Sequence, residues 1–148
     1  MTKKKEYPKK MKILIDAHVF DGKYQGSRTY IKGMYTEIIA KKKDWKFYFV
    51  GNEIENLKKE FGQHTNISYI PLKFKNKFIR LFFELPYLIF KNKIDFSHFQ
   101  YISPIIKIGK YIVTNHDILF EEKRFRSFFP SKYRFINGAL FKKSAKAA

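Results

Sequence analysis

Apolar and polar positions alternate between two periods along this chain, and the alternation predicts an ordered series of strands and helices. Met11-Lys-Ile-Leu-Ile-Asp16-Ala17 is a short apolar run ending on a carboxylate, as expected of a strand. Tyr30, Met34 and Ile38, with Ile31, Tyr35 and Ile39, recur at helical spacing, and either Ser27 or Thr29 could cap that helix. Lys41, Lys42 and Lys43 fall in its last turn, where cations suit the helix dipole. Trp45 to Val50 reads as a second strand, Glu53 to Phe61 as a short helix closed by Gly62, and Asn66 to Ile70 as a third strand. Lys75 to Asn92 carries Phe78, Ile79, Phe82, Leu85, Leu88 and Ile89 in helical register, with Pro86 expected to kink or split the segment. These aromatics read as core.

Asp95 to Phe99 is the fourth strand. Gly109 leads into a fifth, Lys110-Tyr-Ile-Val-Thr, and Ser131 to Lys143 forms a last amphipathic helix through Tyr133, Ile136, Leu140 and Phe141. The order β-α-β-α-β-α-β-β-α, combined with right-handed crossovers, predicts an α/β fold: a Rossmann-like three-layer sandwich with a mainly parallel sheet. Residues 1–10 are a basic lead-in, and 11–148 make one domain. The chain stops at Lys143-Ser-Ala-Lys-Ala-Ala148, directly after a helix, which gives the expectation that the domain is incomplete at its carboxyl end.

Composition narrows the picture only in part. There are 148 residues, with 31 Lys and Arg against 13 Asp and Glu for a formal net charge of +18. That charge invites an anionic partner such as phosphate, an acidic lipid surface or nucleic acid, although a bias toward Lys, Ile, Phe and Tyr produces the same excess. The hydrophobic fraction of 45% and aromatic fraction of 19% are those of a folding chain, not a disordered polybasic one. Without cysteine, a disulfide framework and thiolate metal sites are excluded. No apolar run reaches the roughly 20 residues of a membrane span, and the basic start is not followed by a signal-peptide core. These features point to a cytoplasmic protein.

Candidate chemistry gathers at strand ends, where open α/β sheets collect their ligands. The fifth strand runs into His116-Asp117, and the first ends at Asp16 before the loop Asp21-Gly-Lys-Tyr-Gln-Gly26-Ser27-Arg28. His116 could donate to a ligand hydroxyl, or be a satisfied structural histidine with Asp117 capping the following turn. Asp16 could hold the first loop through its amides, and His98, at the end of the fourth strand, is expected to be a third polar group aimed the same way. Gly26 would let a phosphate approach the helix N-terminus, or form only a tight turn. The loop lacks both G-x-G-x-x-G and the lysine-bearing P-loop pattern, which argues against a nicotinamide dehydrogenase or a P-loop NTPase. His18, His64, His98 and His116 lack metal-ligand spacing, so no metal and no cofactor is expected. There is no G-x-S-x-G elbow. Lys123, Arg124, Arg126 and Lys132, interleaved with Phe125, Phe128 and Phe129, could lie on anionic lipid or be a solvated loop anchored by its rings.

Strand Met11 to Ala17, Gly26 with Tyr30, Asp95-Phe-Ser-His98-Phe99, and Val113-Thr-Asn-His116-Asp117-Ile118 followed by Phe129-Pro130 occur in an order and spacing that resembles the amino-terminal domain of family 4 glycosyltransferases of the GT-B fold. Ser27 and Arg28 after Gly26 depart from that family's commoner Gly-x-Gly loop. The resemblance implies a retaining transfer of a sugar from an activated nucleotide donor to a glycan or lipid-linked acceptor. His116 and Asp117 would be the catalytic pair, with His116 against the transferred sugar. Asp16, Gly26, Ser27, Arg28 and His98 would bind donor or acceptor. It implies, too, a carboxyl-terminal donor-binding domain, in the same or a partner chain, without which this half would be inactive, and a role in cell-surface polysaccharide synthesis at the inner face of the membrane. The alternative is a basic module for anionic membrane or nucleic acid, of which nucleic acid fits less well because the aromatics follow an apolar-face spacing.

Overall fold

The computed structural model describes residues 10–22, 26–116 and 122–148. Its strands are β1 (Lys12–Asp16), β2 (Lys46–Gly51), β3 (Ile67–Pro71), β4 (Phe96–Gln100) and β5 (Lys110–Thr114). They form one all-parallel sheet in the order β3-β2-β1-β4-β5. The helices are α1 (Gly26–Lys41), α2 (Ile54–Phe61), the short α3 (Lys77–Ile79), α4 (Leu85–Asn92) and α5 (Ser131–Ala147). This is the Rossmann-like three-layer sandwich that the alternating periods predict.

Two cores follow from the strands' alternation, because successive side chains leave a strand on opposite faces. Ile13, Ile15, Phe47 and Phe49 pack under Ile31, Tyr35 and Ile39 of α1 and Leu57 and Phe61 of α2. Leu14, Tyr48, Val50, Phe99 and Tyr111 pack under Leu81, Leu85, Leu88 and Ile89, joined by Leu140, Phe141 and Ala147 of α5. Burying each such side chain is worth about 1.5–3 kcal/mol, so the sheet's double-sided coverage is the main source of stability.

The boundaries differ from expectation at three places. Gly26 already opens α1, so Ser27 lies buried in the first turn and is not its cap. The segment after β3 breaks one turn before Pro86: Asn76 caps α3 through the Phe78 and Ile79 amides, a π-turn occupies Arg80–Glu84, and Pro86 sits in the first turn of α4. A proline has no N–H and collides with the carbonyl four residues back, here Phe82, and a wider turn removes that collision. α5 runs on to Ala147, where Ser144 Oγ accepts from Ser103 N at 2.9 Å and ties the helix to the loop after β4. Two 3₁₀ turns, His18–Phe20 and Lys123–Phe128, were not signalled by any period.

Candidate functional site

The chain leaves β3 at one edge and crosses to β4 on the far side of β1, so the sheet's switch point lies between β1 and β4. Beyond the carboxyl ends of those strands opens a cleft of about 440 Å³. Lys77, Arg80, Asn137, Gln100, Tyr101 and Tyr133 line it, together with His18 and the rings of Phe129 and Phe141.

Asp16, fully buried at the end of β1, is the anchor of one wall. Its Oδ1 lies 3.0 Å from His18 Nδ1 and accepts from the His18 amide at 3.4 Å, and its Oδ2 is 3.8 Å from Arg80 Nη2. Burial works to raise the carboxyl pKa, but the charges of His18 and Arg80 and the His18 hydrogen bonds outweigh it and hold the group at about 2. Arg80 reaches Asp16 from the π-turn, whose extra residue sets the direction of the side chain. Asp21 closes the same loop by accepting from Asn52 N, Asn52 Nδ2 and Glu53 N at 2.7–3.0 Å, which fastens the loop after β1 to the start of α2.

His98 is on the opposite face. Asp16 turns toward the α4 layer and His98 toward α1, where both ring nitrogens are engaged: Nδ1 with Tyr35 OH and Nε2 with Thr114 Oγ1, each at 2.8 Å. Desolvation first, then the nearby His116, outweighs the attraction of Asp16 and lowers its pKa to about 4, so the ring is neutral at ordinary pH. Gln100 Nε2 stands 3.4 Å from His98 Nε2, and Gln100 Oε1 accepts from His116 Nε2 at 2.8 Å. His98 thus sits beneath the surface as a support for Gln100 and His116.

His116 is half-buried between two edge-on rings, Tyr30 at 5.2 Å and Tyr101 at 5.4 Å between centroids. Tyr30 is one turn along α1 from Gly26, so the imidazole and the start of α1 share one edge of the fold. A β-carbon added at Gly26 would meet none of the described residues within 4 Å. Arg28 is turned away from this edge, with Nη2 2.6 Å from Glu60 Oε1 of α2 and its guanidinium over the Phe20 ring. Asp117 lies outside the described residues.

Arg80, Lys77, Gln100 and Tyr101 are site residues that the sequence reading did not single out. Arg80 had one visible signal, a lone cation inside Phe78-Ile-Arg-Leu-Phe-Phe83. Tyr101 adopts φ +64°, and Ile102 N bonds to Gln100 O at 2.8 Å across it, a three-residue turn that a bulky side chain rarely occupies. Such strain concentrates at functional sites. Among the described residues, no group of three His, Asp or Glu side chains is placed to hold a metal ion.

Comparison with protein-family models, with curated proteins and with solved structures gives no match in any of the three.

Proposed function

We propose that this chain is the acceptor-side lobe of a sugar-transferring enzyme, resembling the amino-terminal domain of family 4 glycosyltransferases. The observation that carries this reading is the cluster in which His116 bonds to Gln100 and packs against Tyr101 and against Tyr30 of α1, Gln100 and Tyr101 also lining the switch-point cleft. An imidazole with one edge fixed by Gln100 suits a sugar hydroxyl, and aromatic walls suit the apolar faces of a pyranose. The amino end of α1, from Gly26, offers backbone amides to the phosphates of a nucleotide-sugar donor. Leaving-group charge in such a transfer is stabilised by amides and cations and needs no protein nucleophile.

A cleft left open to solvent along its mouth cannot exclude water, so transfer requires a second, donor-binding lobe. With labelled nucleotide sugars, the 148-residue chain alone is expected to give no transfer above background. Joined to a donor-binding lobe it is expected to transfer, and His116→Ala in that assembly should lower the rate by at least about 100-fold. Unchanged transfer by the variant would return His116 to a structural role.

A second reading, compatible with the first, is docking on an anionic membrane. Phe83, Tyr87 and Phe90 (73% exposed) form a stripe at helical spacing along the π-turn and α4, with Lys91 over the Tyr87 ring. Phe128 and Phe135 (81% exposed) lie among Lys123, Arg124, Arg126, Lys132 and Arg134. Exposed rings among cations are the composition that partitions to a headgroup region. The aromatics of 75–92 are therefore only partly core. Among the described residues, no helix is long and apolar enough to cross a membrane.

A further inference from the structure

The cleft is more cationic than a neutral sugar ring requires. Arg80 is 9% exposed and lines it, yet its distance of 3.8 Å from Asp16 is too long for a hydrogen bond. Neither Arg80 Nε nor Asp16 Oδ2 has a hydrogen-bond partner among the described residues. Buried polar atoms of this kind are rare and costly, most of all on a guanidinium, whose fork of donors matches two oxygens of one oxyanion. Lys77, one turn before Arg80, lines the same cleft and donates to Asn137 Oδ1 at 3.2 Å. Lys77 and Arg80 set two positive charges against the single carboxylate of Asp16, and among the described residues no other acidic side chain lines the cleft. Among the described residues one positive charge is left over, in a recess where water screens it poorly.

The facing wall is of a different kind. Tyr101 and Phe141 stack at 5.4 Å between centroids and Phe129 and Tyr133 at 5.8 Å, with Gln100 and Asn137 between the two walls as amide donors and acceptors. A free inorganic anion would make no use of four rings, and a neutral sugar would make no use of the surplus cation.

We propose that the cleft takes an acidic sugar unit of the acceptor, with its ring against the aromatic wall and its carboxylate or phosphate ester between Arg80 and Lys77. This rests on the sugar-transfer reading above and names its acceptor class. Asp16, fixed by His18, orients Arg80 from behind, so that the guanidinium presents donors to the ligand. Asn137 keeps Lys77 turned into the cleft from α5.

The test is a calorimetric and NMR titration of the 148-residue chain with glucose, glucuronate, glucose 6-phosphate and inorganic phosphate. Either acidic sugar is expected to bind at least about tenfold more tightly than glucose and than phosphate, the gain of one charge-assisted contact. Raised salt should reduce that margin, and Arg80→Gln and Lys77→Gln should each abolish it. Uronate and phosphate ester are separated by which of the two acidic sugars binds better. Equal binding of glucose and both acidic sugars would overturn the inference and leave the sugar reading standing. If none of the three sugars bound, both would fall. Because Arg80 is buried, its variant is read beside Lys77→Gln, which removes a side chain nearer the surface; an intact preference in a folded Lys77→Gln would also overturn the proposal.

Discussion

His98 is neutral because its ring is buried with Tyr35 on one nitrogen and Thr114 on the other, and this gives the fold an acid-sensitive point. Its pKa is lowered from 6.5 to about 4, so between those values the unfolded chain binds the extra proton. Stability from this group is full above 6.5 and is lost as pH falls toward 4, to the order of 3 kcal/mol. Asp16, lowered from 3.8 to about 2, adds a second loss below 3.8, on the order of 2 kcal/mol. Thermal melts from pH 7 to 2 should fall through both windows, and His98→Gln should flatten the upper one while sparing the lower. At Tyr101 the positive φ reverses the usual order of truncations: Tyr101→Gly should melt higher than Tyr101→Ala by about 1 kcal/mol, as backbone with φ above zero favours glycine. Asp16 and His116 were legible as strand-end polar groups. That His98 turns under α1 was not, because alternation fixes that two side chains differ in face but not which face holds the cleft. Arg80 and Lys77 were hidden in a helical period whose phase the π-turn alters.

Periodicity located every regular helix and strand to within a few residues, since an amphipathic stripe is a property of one segment. What it could not reach were the short turns between them, whose hydrogen bonds come from distant residues such as Asp21 to Asn52. Pro86 announced a break, but the relief lies upstream in Arg80–Glu84, where a carbonyl collision can be avoided. Deleting Phe83, an exposed residue of that turn, should restore a plain α-turn and swing Arg80 about 100° around the axis. The Asp16 pKa, followed by carbon NMR, should then rise from about 2. α4 ends on Lys93 at φ +52°, so Lys93→Gly should stabilise the protein by about 0.5–1 kcal/mol in denaturant melts. Gly26→Ala meets no atom of the described residues and should leave stability within about 0.5 kcal/mol of the parent; if the helix start holds a donor phosphate, it should weaken donor binding in the assembled enzyme.

At the scale of the molecule, the surplus of cations is expressed as a basic, ring-studded exterior on α4 and α5 and a cationic cleft within reach of the sheet's switch point. Vesicles containing anionic lipid should retain the chain at low salt and release it as the Debye length shrinks from about 10 Å at 0.1 M, while neutral vesicles should not hold it at either salt. Oligonucleotide binding of equal strength would favour the nucleic-acid alternative. The strand order has a further consequence, for the time before the protein is finished. β1 sits at the centre of the sheet, yet one of its neighbours, β4, begins at Phe96. While the chain emerges from the ribosome, β1, β2 and β3 can assemble early, but the free backbone edge of β1 and the apolar side of Leu14 and Val50 must wait for most of the remaining chain to be synthesised. A half-built sheet with an open central edge is an adhesive nascent intermediate, so yield should depend on chaperone supply and on translation rate more than on the stability of the completed fold.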